Sequence, residues 1–540
     1  MAEFIVITEK GIDVALVDND LQRDTSTDDS VDSSVIPDRS VTVVYARPAN
    51  NRMTHYDLTA DEAAALSNDS RVLSVAGIPD EETQQLYATQ NAEFQRSFSN
   101  RSNSVNWGLE RHMVPDYAYN SSSTRTADYN YTLDGTGVDI VIQDDGVVVD
   151  HPEWEDAEGN SRFQQVDWYE LTGLPGTMPA NFYNQTTADS NQPGAHGSHC
   201  CGIAAGKTYG WAKNSRLYSM RIFGGTGHRI DTDRYDLIRL FHEQKPIDPD
   251  TGFKRPTIVN QSWGYSWYYR NSSTGNAQVQ TLFYRGVNQN IVAQQWTSGT
   301  FSQYGAVASR HPMAYTPADV EQEQLTDAGV ICVKAAGNGY HPCAGSATGE
   351  YADTIYNSYY TLNQTWGSYI AAGNPIYYNR PSSPHSLDTI WVGNIACDQY
   401  GSEEFLREDS ERGARLDINA AGEQITSATS TQATYSTKQN YPPNTAYSIA
   451  RISGTSMAAP QITGMGALWL QANPGGTAQE LKDFLTANAK QILYNSGNAD
   501  SFVAGNSIPR LYGGTRNIAY WPYNNPIQVS YKGTSGSGQG

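Results

Sequence analysis

Apolar and polar positions change their rhythm along this chain. Over residues 1–97 the apolar runs are short: Phe4-Ile5-Val6-Ile7, Val41 to Tyr45 and Arg71 to Val75 read as strands. Between the last two, Thr59-Ala60-Asp61-Glu62 has the form of a capping box opening Ala63 to Leu66, so a helix is expected there. The pattern predicts a compact α+β unit. Further on, Val138 to Ile142 and Val330 to Val333 are near-continuous apolar runs, as expected of strands buried on both faces of a parallel sheet. Ile462 through Leu470 reads as a buried helix. After a break at Asn473-Pro474-Gly475-Gly476, a second capping box, Thr477 to Glu480, opens a helix striped by Leu481, Phe484, Leu485 and Ala489. Three tracts carry little apolar content: the acidic loop from Arg23 to Ser34, a linker from Gln90 to Asn106, and a glycine-rich tail, 533–540.

Candidate chemistry sits at the ends of the apolar runs. Asp144 and Asp145 close the first, and the C-terminal edge of a parallel sheet is where open α/β folds place their ligands. His196 begins His196-Gly197-Ser198-His199-Cys200-Cys201-Gly202, whose small residues would let a helix pack closely beneath a site. Ser456 stands in Gly454-Thr455-Ser456-Met457-Ala458-Ala459-Pro460, at the mouth of the buried helix. A serine hydroxyl is a weak nucleophile until a base takes its proton. Histidine does this near neutral pH when a buried carboxylate fixes its tautomer. Asn338, in the turn Ala335-Ala336-Gly337-Asn338-Gly339, can aim an N–H at the charge developing on a substrate oxygen, with the Ser456 backbone N–H as a second donor. One such donor is worth about 3 kcal/mol in the transition state.

With these four motifs in this order, the chain resembles the subtilisin-like serine proteases, the subtilases. The resemblance implies an α/β, subtilisin-like three-layer fold around a mostly parallel sheet. Residues 1–97 are similar to the small α+β (ferredoxin-like) inhibitory prodomain of that family, 98–510 would be the catalytic domain with insertions, and 511–540 a C-terminal extension. It further implies a serine endopeptidase in which Asp144 orients His196, His196 is the base, Ser456 attacks and Asn338 completes the oxyanion hole. Ser262, Trp263 and Gly264 resemble the strand that binds substrate backbone, and Asn106 to Arg111 the start of many mature domains. The resemblance implies that no cofactor is required for catalysis. Ala421 stands where the family usually has proline. Asp144-Asp145, Cys200 and Ser262-Trp263-Gly264 are also similar to the proprotein-processing branch, which prefers basic sites. Trp263 and Tyr340, expected to flank the cleft, argue instead for a broad specificity with a mild apolar or aromatic preference. A carboxylate beside Asp144 should raise the pKa of one of the pair.

Composition narrows the setting. The 540 residues are 17% charged and 38% hydrophobic, as in a folded protein, and the formal net charge of −21 excludes an electrostatic nucleic-acid binder. Five cysteines are too few for a disulfide scaffold. Cys200, Cys201 and Cys332 read as small buried hydrophobes, a Cys343–Cys397 bridge is left open, and His199 is expected to pack rather than bind metal. The aspartates between 24 and 32 would suit calcium, but their spacing matches no specific loop, so any structural calcium is unplaced. No apolar run has membrane-spanning length, and the first fifteen residues do not read as a signal peptide. The expected location is extracellular or virion-associated. Expected partners are a protein or peptide substrate, the chain's own prodomain, and an oligomer or larger assembly. The opposing reading is a structural or binding component of such an assembly, retaining the fold with its activity held silent by the prodomain. Trp154 and Trp168 are expected in surface loops beside the cleft. Tyr265–Val287 and Gly345–Asn379 read as aromatic insertions serving surface packing, a substrate wall or a protein interface.

Overall fold

A computed structural model describes residues 2–22, 36, 39–78, 84–86, 106–113, 126–129, 131, 133–178, 182–183, 185–186, 194–222, 230–268, 279–291, 304, 310–339, 341–343, 356–365, 371–397, 404–407, 409–491, 515–522 and 529–532. The acidic loop 23–34, residues 90–105 of the expected linker, Tyr340 and the tail 533–540 lie outside the described residues.

The two near-continuous apolar runs become central strands. Asp139–Asp144 runs parallel to Arg216–Arg221 on one side and to Thr257–Gln261 on the other. Ile331–Ala335, Ile390–Cys397, Ile418–Ala421 and Asn517–Ile518 continue the sheet, all parallel. Lys490–Gln491 and Glu404–Leu406 join antiparallel and complete nine strands. Successive side chains point to opposite faces. Ile140, Ile142, Ile258, Ile331 and Val333 share one core with the long helix Thr455–Ala472. Val141, Val259 and Cys332 share the other with helices Ile230–Glu243 and Thr316–Asp327. The result is a helix–sheet–helix sandwich.

Several sequence expectations are revised. Trp154 and Trp168 are fully buried core residues, not surface-loop side chains. The boundary expected at 510 does not separate folded units, because Asn517–Ile518 is a sheet strand and Ala519 and Trp521 lie in the main core. His112 secures this segment: its Nδ1–H donates to Ala519 O at 2.7 Å, and its Nε2 accepts from Ala421 N–H at 3.0 Å. Ala421 therefore uses an N–H that proline would lack. The two aromatic insertions meet in one antiparallel sheet, Val279–Tyr284, Val287–Asn288, Tyr359–Leu362 and Ile376–Tyr377, with Val279, Leu282, Tyr360 and Leu362 turned into the core.

The N-terminal unit has the element order βαββαβ: Ala2–Thr8, Ala15–Leu21, Thr42–Ala46, Met53–Leu58, Ala60–Leu66 and Val72–Gly77. Its antiparallel sheet places the first strand between the third and the fourth. The capping box at Thr59–Glu62 forms as predicted. Phe4, Val6, Tyr56 and Leu58 face its own helices, whereas Ile5, Ile7 and Met53 face Val320 of the Thr316–Asp327 helix. At that seam Arg47 ion-pairs with Asp236 and Glu321, and Tyr45 donates to Asp233 at 2.8 Å. Among the described residues no helix is long and apolar enough to cross a membrane.

Close helix contact under the sheet depends on Gly464, where a Cβ would come within 2.6 Å of Ala204 O and Trp211 Cβ. Gly464→Val should destabilise the fold by about 1–3 kcal/mol or more. The urea midpoint of an inactive Ser456→Ala background, with and without the change, measures it.

Candidate active site

Three of the elements converge at the C-terminal edge of the sheet. Asp144 ends its strand, and its Oδ1 accepts from His196 Nδ1 at 2.7 Å. His196 stands in the first turn of the helix Ala195–Ala205. That helix can approach because residue 197 is glycine: a Cβ there would fall 2.1 Å from Gly146 O and 3.0 Å from Asp144 Cβ. Asp145 does not orient the imidazole. Its carboxylate accepts from the backbone N–H groups of His196 at 3.2 Å and Gly197 at 2.7 Å, placing negative charge at the helix N-terminus.

Ser456 lies in the first turn of the Thr455–Ala472 helix, locked to the neighbouring strand by a reciprocal pair. Its Oγ donates to Ser262 O at 3.1 Å, and Ser262 Oγ donates to Ser456 O at 2.9 Å. Cys200 ties the histidine and serine elements together, with its Sγ 3.9 Å from His196 Nδ1 and donating to Ser456 O at 3.3 Å. From the sequence alone this thiol reads as a small buried hydrophobe. Its spacing of four from His196 on one helix was the available signal for a place at the site. Asn338 Oδ1 accepts from Thr455 N at 2.9 Å and Thr455 Oγ1 at 3.0 Å, which fixes the amide and turns Nδ2 away from the helix. Within the described residues, Asn338 Nδ2 and His196 Nε2 are buried and make no hydrogen bond. These are the atoms through which an oxyanion donor and a general base would act.

Electrostatics follow from burial. Burial opposes charge on His196, but Asp144 overrides it and holds the imidazolium pKa well above the usual value. Burial, reinforced by Asp144, pushes Asp145 up to about 6, so the expectation for the acidic pair falls on its second member. His199 is buried, its Nε2 lies 3.0 Å from Ala450 O, and burial lowers it to about 3, so it is a neutral packing residue. The donor atoms of Asp144, His196 and Cys200 lie within 4.8 Å of one another, but Asp144 and His196 already bond to each other there. Cys343 is a free thiol donating to Glu411 at 2.9 Å. The side chain of Cys397 lies outside the described residues.

Ser262 bonds directly to Ser456, and Trp263 departs from expectation. The Trp263 indole is fully buried beneath the strand and offers the cleft no aromatic surface. Only backbone is presented, and it is already paired: Trp263, Gly264 and Tyr265 lie opposite Leu86, Gln85 and Gln84 in an antiparallel ladder. An extended segment of the chain's own N-terminal part thus lies along the edge, and Ser456 and His196 are buried.

Asp145 carries a testable linkage. A carboxyl raised to about 6 in the folded state binds more proton than the unfolded chain between about pH 4 and 6. Its contribution to stability therefore falls as pH rises through that window. Asp145→Asn should remove that part of the slope of urea midpoint against pH.

Comparison with known proteins identifies the family. A model of the subtilase family, peptidase S8, matches residues 135–513. A cuticle-degrading serine protease of Arthrobotrys oligospora is 32% identical over 123 residues, 22% of this chain and 25% of that protein. The subtilisin-like protease PopC of Myxococcus xanthus is 25% identical over 360 residues, 66% of this chain and 56% of that protein. The chain thus aligns with about a quarter of the first of these curated relatives and just over half of the second. The crystal structure of fervidolysin from Fervidobacterium pennivorans, a keratinolytic enzyme related to subtilisin, shares the fold: TM-score 0.51 at 16% identity, covering 95% of this chain and 60% of that one. With a family match over more than half its length, and a parallel sheet carrying the aspartate, histidine and serine elements in the family's order, the chain belongs to the subtilase family of subtilisin-like serine endopeptidases.

Proposed function

We propose that the protein is a serine endopeptidase held latent by its own N-terminal unit. The observation that carries the catalytic reading is the buried 2.7 Å Asp144–His196 bond, with Asn338 Nδ2, beside the serine turn, making no hydrogen bond among the described residues. Asp144 fixes the imidazole tautomer. His196 takes the Ser456 proton through Nε2 as Oγ attacks the peptide carbonyl, then passes it to the leaving amine, and water repeats the cycle on the acyl-enzyme. Asn338 Nδ2 and the Ser456 backbone N–H receive the oxyanion. For this step Ser456 must exchange its bond to Ser262 O for one to His196, a change for substrate binding to bring about.

Latency rests on a separate observation, the ladder between Gln84–Leu86 and Trp263–Tyr265. Residues 1–97 then act as a prodomain, ferredoxin-like in topology, with a closing strand that takes the place of an extended peptide. Cleavage in the linker 90–106 would free the edge. Trp263, being interior, gives no case for aromatic selectivity, Tyr340 lies outside the described residues, and a peptide-library profile decides between an aromatic, a broad and a basic preference.

A fluorophosphonate probe should label Ser456 only after the N-terminal unit is removed or displaced. Absence of labelling in a folded, processed sample overturns the enzyme reading, and equal labelling of intact chain overturns latency. Asn338→Ala should lower kcat by about 10²–10³-fold with KM little changed, because its donor acts on charge present only in the transition state. With His196 held high by Asp144, kcat/KM should climb as pH rises and the imidazole loses its proton.

A further inference from the structure

The peptide-binding edge has an unusual support. In a strand, the N–H and C=O of one residue point to one side and those of the next to the other. Tyr265 uses its pair on the inner side: its N–H donates to Ser383 O at 3.0 Å, and its C=O accepts from Met313 N at 3.1 Å. Arg310–Pro312 supplies the inner neighbour strand, in the register Ser266 to Pro312. Gly264 therefore faces outward to Gln85, and Trp263 faces inward again. Continued by two residues from the Tyr265–Met313 pair, that register would bring the Tyr315 N–H to the Trp263 carbonyl. Tyr315 N–H instead donates to Ser383 Oγ at 2.6 Å. The Trp263 carbonyl is met by a side chain, the Nζ of Lys334, at 2.5 Å.

Lys334 is fully buried on Ile331–Ala335, four residues before Asn338. Its ammonium also reaches Ser383 O at 3.5 Å and lies 5.7 Å from the Trp263 ring centroid and 5.5 Å from that of Trp391. One cation thus ties together the strand leading to Asn338, the strand that pairs with peptide, and the Ser383 segment that holds Tyr265. Resting on the proposed peptidase reading, we infer that Lys334 is a positioning residue: its ammonium replaces a missing ladder donor at the Trp263 carbonyl and so sets the edge on which Gly264 receives the peptide backbone. It touches no reacting atom.

The charged groups around it come from several elements. Asp319 on the Thr316–Asp327 helix and Glu411 favour the ammonium once ionised, though burial raises them to about 7 and about 8. Cys343 stays a neutral thiol bonded to Glu411, Arg415 opposes the ammonium, and His385 lies close enough to feel its charge. Burial prevails and lowers Lys334 to about 7. As pH rises through that value the donor loses its charge, and its hold on Trp263 weakens.

Two measurements test this. In the full chain carrying Ser456→Ala, where Gln84–Leu86 occupies the edge, adding Lys334→Met should speed amide exchange at Gln85 and Gly264 about tenfold, the loss of one charge-assisted bond, while Val259 in the parallel sheet stays protected. In the unsubstituted chain, processed until fluorophosphonate labelling reaches its plateau, the kcat/KM of a peptide long enough to pair with the edge is divided by that of a small ester too short to pair. The shared triad cancels, and the ratio should fall as pH rises from 6 to 9. Unchanged exchange in the variant, or, should the variant not fold, a flat ratio, overturns the role of Lys334. No turnover of either substrate and no labelling would overturn the peptidase reading instead, leaving the exchange measurement to decide Lys334 by itself.

Discussion

The 2.7 Å hydrogen bond between Asp144 and His196 is enclosed on every side, so both groups must be stabilised without water. A buried carboxylate and imidazole are costly unless they are paired and further hydrogen-bonded. The surroundings meet that demand at Asp144 Oδ1 and His196 Nδ1, while Asp144 Oδ2 and His196 Nε2 make no hydrogen bond among the described residues. Asp144 Oδ1 also accepts from Asp145 N at 2.8 Å, while the Asp145 carboxylate holds the first N–H groups of the histidine helix. The helix must then come close to the strand end, which only a glycine at 197 permits. Moving any of these parts would leave a charge or an N–H buried without a partner.

The second wall of the site is fixed by backbone rather than charge. Ser262 and Ser456 exchange hydrogen bonds across the junction between strand and helix, and Thr455 anchors the Asn338 amide through its oxygen. Ser456, the Trp263–Tyr265 edge and the Asn338 amide, to which the proposed mechanism gives the roles of nucleophile, peptide edge and oxyanion donor, are therefore positioned against one another. Preorganisation of this kind lets dipoles act on developing charge without reorienting during the reaction. The same arrangement explains why an extended segment of the chain itself fits there: the edge offers backbone groups that any β-strand can satisfy.

The N-terminal unit sits on the main body through a division of labour within its sheet. Alternate residues build its own core, and the intervening ones, Ile5, Ile7 and Met53, meet the Thr316–Asp327 helix. Cations on the unit (Lys10, Arg47 and Arg52) meet carboxylates on the body (Asp236, Glu321, Glu323 and Asp327). The Arg47 pairs are buried, and charges taken out of water return little net stability even when paired.

Much of this was written in the sequence. The apolar runs ending in Asp144 and at the turn of Asn338 determined a parallel sheet, because strands buried on both faces cannot alternate with polar residues. The order of the four motifs determined the family, because few residue types can activate a serine. The capping boxes at Thr59 and Thr477 formed as predicted, because their hydrogen bonds are local. Contacts distant in sequence were decided only by the folded chain. Trp263 turned inward because Lys334 and Trp391 lie on the face beneath its strand, Asn517–Ile518 became a sheet strand because Ile418–Ala421 offered an edge, and two aromatic insertions became one sheet because each supplied the other's partner. Local hydrogen bonds and hydrophobic periodicity are properties of neighbouring residues and can be read along the chain. Which buried group meets which across dozens or hundreds of residues depends on how the layers close, and that is settled only by packing.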